Sequence, residues 1–169
     1  VDWNVNLNGA LDEESLLRMT RSFPLLARLQ RAETVVVLLT HIGRPTKKRE
    51  HAFSAQHLLP LLKKRGWLAT WHDADLGSKE DREQLGQSLE KAKPGSIHLL
   101  ENVRFFEGEE SNTPAFAKAL ASLGDVFVND AFAVCHRAHA SVVGIPKYLD
   151  SYAGPALEEE VRKLSIYRE

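Results

Sequence analysis

The sequence is poor in several things, and each shortage narrows what it can be. It has a single cysteine, Cys135, which excludes an intrachain disulfide framework and fits a reducing cytosol. No apolar run approaches the ~18 residues of a membrane span, and no signal peptide opens the chain, so no membrane partner is expected. Neither charge sign dominates: 22 Lys and Arg stand against 23 Asp and Glu, a formal net charge of −1. That balance gives no global reason to expect nucleic acid, and no aromatic stacking platform accompanies the arginines. Any anion site must be a local concentration of Arg and His. Also missing are a G-x-x-x-x-G-K-[ST] loop and a G-x-G-x-x-G after a strand, so the chain carries no recognisable nucleotide site.

What is present describes a soluble α/β domain. At 169 residues, 43% hydrophobic and 27% charged, the chain can bury a real core. Apolar, β-branched runs at 1–7, 34–40, 67–72, 96–100 and 125–129 predict strands. Segments of helical period lie at 13–32, 54–65, 79–92, 113–122 and 155–167. Ser54 and Asn112 are the expected N-caps of two of them, with Pro114 in a first turn. Alternating strands and helices imply a mostly parallel sheet with helices on both faces, three layers in all. The charged stretch 47–50 reads as a solvated loop. A strand that starts at Val1, and a helical end at 158–169 without a Gly or Pro stop, give both termini the look of cuts from something longer.

Four polar clusters fall at or just after predicted strands: Asp2 and Asn4, then His41-Ile-Gly-Arg-Pro45, then Glu101-Asn-Val-Arg104, then 129–139. In a parallel sheet such strand ends share one edge, where α/β proteins keep ligands. Arg44, Arg104 and Arg137, with Arg18 from the first helix, would form a basic floor for a small polyanion such as a sugar or organic-acid phosphate, because the guanidinium fork matches phosphate and carboxylate oxygens. Asp2 and Asn4 alternate and so point the same way, able to hold a substrate hydroxyl. His41 can donate to a phosphate or serve as acid or base. Cys135, His136 and His139 are too few and too close for an ordinary zinc site, so no metal is expected, and Cys135 lacks the base that a nucleophile needs.

These motifs resemble the N-terminal half of the phosphoglycerate kinase family. The matching segments are Val1-Asp-Trp-Asn-Val5, Thr40-His-Ile-Gly-Arg-Pro45, Leu99-Leu-Glu-Asn-Val-Arg-Phe105, Asp125-Val-Phe-Val-Asn-Asp-Ala-Phe132 and His136-Arg-Ala-His-Ala-Ser141. They keep the family's order and spacing over essentially the whole chain. The resemblance implies a Rossmann-like domain at 1–155 that binds 3-phosphoglycerate or 1,3-bisphosphoglycerate, with 156–169 beginning an interdomain helix. It implies that Asp2 and Asn4 hold the substrate hydroxyl and its surroundings, and that His41, Arg44, Arg104 and Arg137 bind its phosphate. Arg18 would sit at the carboxyl group as the catalytic cation, and Glu160 would be a hinge element. Mg2+ with ADP or ATP would be bound by a C-terminal nucleotide domain outside this sequence, with no cofactor in this chain. A cytoplasmic monomer, unable to turn over alone, is the accompanying expectation. The sequence departs from the family at Trp3 for Phe, Asn6 for Pro, and Ala133-Val-Cys135 for Gly-Thr-Ala. Those loop departures and the missing domain keep an alternative in view, a non-catalytic anion-binding or interaction module derived from the same fold.

Overall fold

The computed structural model describes residues 1–5, 13–46 and 49–166. Its centre is strand β3 (Ile97–Leu100), which is buried at every position. β3 pairs in parallel with β1 (Val36–Leu38) on one side and with β2 (Ala69–His72) on the other, giving the order β1-β3-β2. Successive β3 side chains point to opposite faces. Ile97 and Leu99 join Val36, Leu38, Met19, Leu26, Leu58 and Leu62 in one core. Leu100 joins Leu85, Leu89, Phe116 and Leu120 in the other. The first core is covered by helices α1 (Glu13–Arg21), α2 (Phe23–Arg31) and α3 (Leu59–Lys64). The second is covered by α4 (Lys79–Glu90) and α6 (Pro114–Ala121), with the single turn α5 (Glu107–Glu110) before α6. This is the three-layer α/β architecture that the sequence predicts, with all described strands parallel.

The strands nevertheless fall into two sheets. β4 (Val126–Asn129) pairs with β5 (Asp150–Ala153), a strand with no sequence signature because all four of its residues are exposed. The predicted strand at 1–7 is not one over its described residues 1–5, while 6 and 7 lie outside the description. Val1 does make one ladder-like contact, its ammonium donating to the Leu39 carbonyl at 3.1 Å. In the β1–β3 ladder Val36 N donates to Ser96 O, so alternate residues Val37 and Leu39 turn their backbone away from β3. Likewise Gly154 N donates to Asn129 O, so Val126 and Val128 turn away from β5. These two edges line a common apolar groove of about 180 Å³ together with Val1, Leu26 and Leu29.

Proline explains most helix departures. The predicted helix 13–32 divides at Ser22, because Pro24 lacks an N–H and crowds the preceding turn, so it sits at the start of α2 instead. Pro60 does the same in the 54–65 segment, leaving a 3₁₀ turn at Ala55–Leu58 before α3, with Ser54 capping Gln56 N as predicted and a separate 3₁₀ turn at His51–Phe53 ahead of it. The cap of α6 is Thr113, whose hydroxyl accepts from Phe116 N, and not Asn112, which adopts φ 49° one residue earlier. Helix α7 (Pro155–Ser165) ends the described chain apart from Ile166. In the supposed solvated loop, Arg49 donates to Asp73 at 2.6 Å and stacks over Phe106.

Two side chains after β3 bind the strand ends to one another. The buried Glu101 carboxylate accepts from Ser54 Oγ (2.7 Å), Ala55 N (2.7 Å) and Asn102 N (2.6 Å). Asn102, 0% exposed, donates through Nδ2 to Ile42 O and Phe53 O, and its Oδ1 accepts from Arg104 N. Glu101→Ala strands three donors in a dry site, so urea titration should show a loss of about 3 kcal/mol or more of unfolding free energy. Hydrogen exchange on this 169-residue chain should find the β3 amides the slowest, with Val37 and Val128, facing the groove, clearly faster. Equal protection across these strands would contradict the two-sheet arrangement.

Candidate functional site

The segments that follow β1, β3 and β4 converge, as strand ends of parallel pairs do, and Asn102 fixes the first two against each other. The 40–45 loop turns at Gly43, whose φ of 61° is unfavourable for residues with a Cβ; a Cβ there would stand 2.5 Å from the Phe53 ring. Asn4 Oδ1 accepts from Gly43 N at 2.9 Å, and Arg104 Nη1 donates to Gly43 O at 2.6 Å. One glycine residue is therefore held through both its N–H and its carbonyl, by the N-terminal segment and by the segment after β3. Trp3 N donates to Thr40 Oγ1, seating the first five residues beside the same loop.

Around this frame the positive charges gather. Arg104 is 5% exposed, and its Nε and Nη2 have no hydrogen-bond partner among the described residues. Glu110 lies 3.8 Å from that Nε, near enough to attract but not to bond. Arg137 Nε is likewise buried without a partner among the described residues. Burial, then Arg137, lowers the Arg104 pKa, with Glu110 and Glu109 opposing and Arg44 adding to the repulsion. His41, buried beside them, is pushed down to about 3 by desolvation first and then by Arg104 and Arg137. It is thus a neutral imidazole at physiological pH. His139 is lowered for the same reasons, burial first and Arg104 next.

The structure thus brings together Asn4, His41, Arg44, Arg104 and Arg137, from four separate stretches of sequence. Arg44 is the exposed member. Asp2 and Arg18 face one another at 3.5 Å, so Asp2 presents part of its carboxylate to a cation. Glu160 stands apart from the cluster: on α7 it pairs with Arg21 of α1 at 2.7 Å. Cys135 is exposed and free, with long sulfur contacts from Asn129 Nδ2 and to Ala131 O. No group of three or more His, Cys, Asp or Glu suited to a metal ion occurs among the described residues.

Several residues that organise the site had no sequence signal. Glu109 reads as one of a pair of surface acids, yet it is 2% exposed and holds Ser141. Asp130 looks like a loop carboxylate, yet its Oδ1 caps α7 across 26 residues by accepting from Ala156 N. Gly154 permits that approach, since a Cβ there would lie 2.4 Å from Asp130 Oδ1. A buried cap and a surface acid share one letter in the sequence; only the packing separates them.

A cluster of buried, unpartnered guanidinium donors with a neutral imidazole is built to receive oxyanions. Known proteins agree in placing the chain. The family profile described as phosphoglycerate kinase matches residues 1–169. The phosphoglycerate kinase of Coprothermobacter proteolyticus is 40% identical over 177 aligned residues, covering 100% of this chain and 42% of the relative. That of Thermus thermophilus is 41% identical over 166 residues, covering 98% and 41%. Among solved structures, phosphoglycerate kinase from Coxiella burnetii superposes with a TM-score of 0.82 at 35% identity, covering 97% of this chain and 40% of that one. The enzyme from Pyrococcus horikoshii OT3 gives 0.79 at 25% identity, covering 98% and 41%. The chain spans about 40% of the length of these relatives. From its first described residue to its last helix, with its strand-end cluster in between, it belongs to the phosphoglycerate kinase family.

Proposed function

We propose that this chain is the 3-phosphoglycerate-binding part of a phosphoglycerate kinase, the enzyme that transfers a phosphoryl group reversibly between 1,3-bisphosphoglycerate and ADP. The observation that carries this reading is the set of buried donors without a partner among the described residues, Arg104 Nε and Nη2 and Arg137 Nε, on two arginines near enough that the charge of Arg137 lowers the Arg104 pKa. Each buried donor left unmade costs about 1–3 kcal/mol, and mutual repulsion adds to that. A phosphate dianion satisfies the donors and removes the repulsion together. Glu110 and Glu109 offset part of that repulsion, but neither bonds the open donors of Arg104.

Residue by residue, Arg104, Arg137, Arg44 and His41 hold the substrate phosphate. Asp2 and Asn4 hold the hydroxyl region, Asn4 through the amide hydrogens left over from its bond to Gly43. Arg18, oriented by Asp2, meets the carboxyl group and steadies the charge that spreads over the moving phosphoryl group. Mg2+ with ADP or ATP, bound by residues beyond this chain, supplies the phosphoryl acceptor or donor and further charge neutralisation. In the same reading, residues 1–155 form the substrate domain, and α7 begins the connection onward, with Glu160 a hinge element clasped to α1 through Arg21. The exposed Val161 and Leu164 on α7, with Ile166 just after it, fit a helix that is covered by further chain. The reading places the protein in the cytoplasm as a monomer, without nucleic acid or membrane as partner. No helix among the described residues is long and apolar enough to cross a membrane.

Calorimetric titration of the chain with 3-phosphoglycerate should give saturable heat that weakens as salt rises, because the contacts are charged. Arg137→Ala should weaken that affinity at least about tenfold, the order of one charge-assisted contact, while leaving the unfolding midpoint nearly unchanged. No heat from a folded chain at millimolar ligand, or an Arg137→Ala variant that unfolds, would refute the reading.

The His41 pKa gives a second test. Below pH 6.5 the unfolded chain binds a proton on His41, whereas the folded chain binds one only near 3. Acidification through that window therefore favours the unfolded chain, by up to about 1.4 kcal/mol per pH unit. Urea midpoints measured from pH 7 to pH 4 should fall for the parent and fall less steeply for His41→Gln.

A further inference from the structure

The loop that carries Arg137 is anchored at both ends and exposed in the middle. Its first end follows β4, where Ala131 N donates to Asn129 Oδ1 and Asp130 is tied to α7. Its far end is a π-helical turn (Ala140–Gly144) whose Ala140 is 0% exposed. Between them Cys135, His136 and Ala138 are exposed, and the side-chain contacts there are the long ones to sulfur. Backbone bonds from Val134 N to Ala131 O, Cys135 N to Phe132 O and Arg137 N to Val134 O carry the first end as far as Arg137, so the course of the loop beyond Arg137 depends on what fixes the far end.

Glu109 fixes it. Ser141 N donates to Glu109 Oε2 at 3.0 Å, and Ser141 Oγ donates to Glu109 Oε1 at 2.5 Å. His139 Nδ1 lies 3.6 Å from the same carboxylate. Both oxygens are thus used on one residue, from a helical turn whose own seat is tight: a Cβ on the neighbouring Gly108 would come within 2.3 Å of Phe116 in α6. Gly144 closes the other side, as a Cβ there would lie 2.6 Å from Asn112 Oδ1. The carboxylate also contributes a negative potential at Arg104. A negative charge beside an anion site opposes anion binding, so a role through charge alone would act against the ligand. Its use lies in geometry.

We propose that Glu109 is a positioning residue of the anion site: by holding Ser141 through both its backbone N–H and its hydroxyl, it sets where Arg137 and His139 stand relative to Arg104. The proposal rests on the reading of this cluster as the 3-phosphoglycerate site. It assigns Glu109 no contact with the ligand.

Three variants of the 169-residue chain separate position from charge. Glu109→Gln keeps a group that can accept from Ser141 N and donate to Ser141 Oγ, while deleting the charge. Glu109→Ala deletes both bonds, and Ser141→Ala deletes only the hydroxyl bond. Calorimetry with 3-phosphoglycerate should give at least tenfold weaker binding for Glu109→Ala, a smaller loss for Ser141→Ala, and unchanged or tighter binding for Glu109→Gln. Exchange of the 136–141 amides, read without ligand, should accelerate in Glu109→Ala and stay at the parent rate in Glu109→Gln. If Glu109→Ala fails to fold, Ser141→Ala against Glu109→Gln carries the same comparison. Parent-like binding and exchange in the variants lacking the bonds would overturn the proposal. So would a Glu109→Gln loss as large as that of Glu109→Ala. A parent that binds no 3-phosphoglycerate would sink the functional reading, and the exchange data would then decide the positioning claim alone.

Discussion

The arrangement depends on the hydrogen bonds that Glu101 and Asn102 make immediately after β3. A strand end is a place where backbone groups lose their ladder partners, and each buried one must find another. Here a carboxylate and an amide supply them, and they do so by reaching into two other segments, at Ile42 and at 53–55. Glu101 takes the Ser54–Ala55 turn; Asn102 takes the carbonyls of Ile42 and Phe53 and directs Arg104 N. The 40–45 loop and the Arg104 segment are thereby one rigid piece, on which Gly43 is held by Asn4 from the opposite side.

That frame is what keeps cationic side chains under cover with donors that no described residue fills. Three orphaned guanidinium nitrogens at about 1–3 kcal/mol each amount to a substantial fraction of the 5–15 kcal/mol by which a domain of this kind is stable. A looser frame would let Arg104 and Arg137 swing out to water. Arg104 is instead buried with its Nη1 on Gly43 O, and burial together with neighbouring positive charge lowers the pKa of both Arg104 and His41. Donors fixed before a ligand arrives also lose little entropy on binding.

Much of this was legible in the sequence, and the illegible part has a common cause. The all-apolar run 35–39 announced a strand buried on both faces; the structure buries Val36 and Leu38 and leaves Val37 half-buried, while the strand buried at every position is β3. The convergence of His41, Arg44 and Arg104 follows from the parallel pairing of β1 and β3, whereas Arg137 follows β4, which lies in the second sheet. What sequence reasoning missed was polar and long-range. Strand β5 has no apolar face; it exists because β4 offers it a ladder. Glu109 and Asp130 are ordinary acids until packing brings Ser141 and the start of α7 against them. Thr113 displaced Asn112 as a cap by one residue, within the usual imprecision of helix starts. The break at Ser22 was readable from Pro24, and the strand expected at 1–7 yielded to side-chain and terminal contacts with Thr40 and Leu39.

The central claim is that Arg104 and Arg137 keep open donors for one shared anion. Nitrogen-15 NMR of the arginine Nε–H groups during titration with 3-phosphoglycerate reads those donors directly. The account predicts that the Nε–H resonances of Arg104 and Arg137 shift together along one saturation curve, with the exposed Arg31 unmoved. Resonances of both arginines that stay in place at saturating ligand would contradict it.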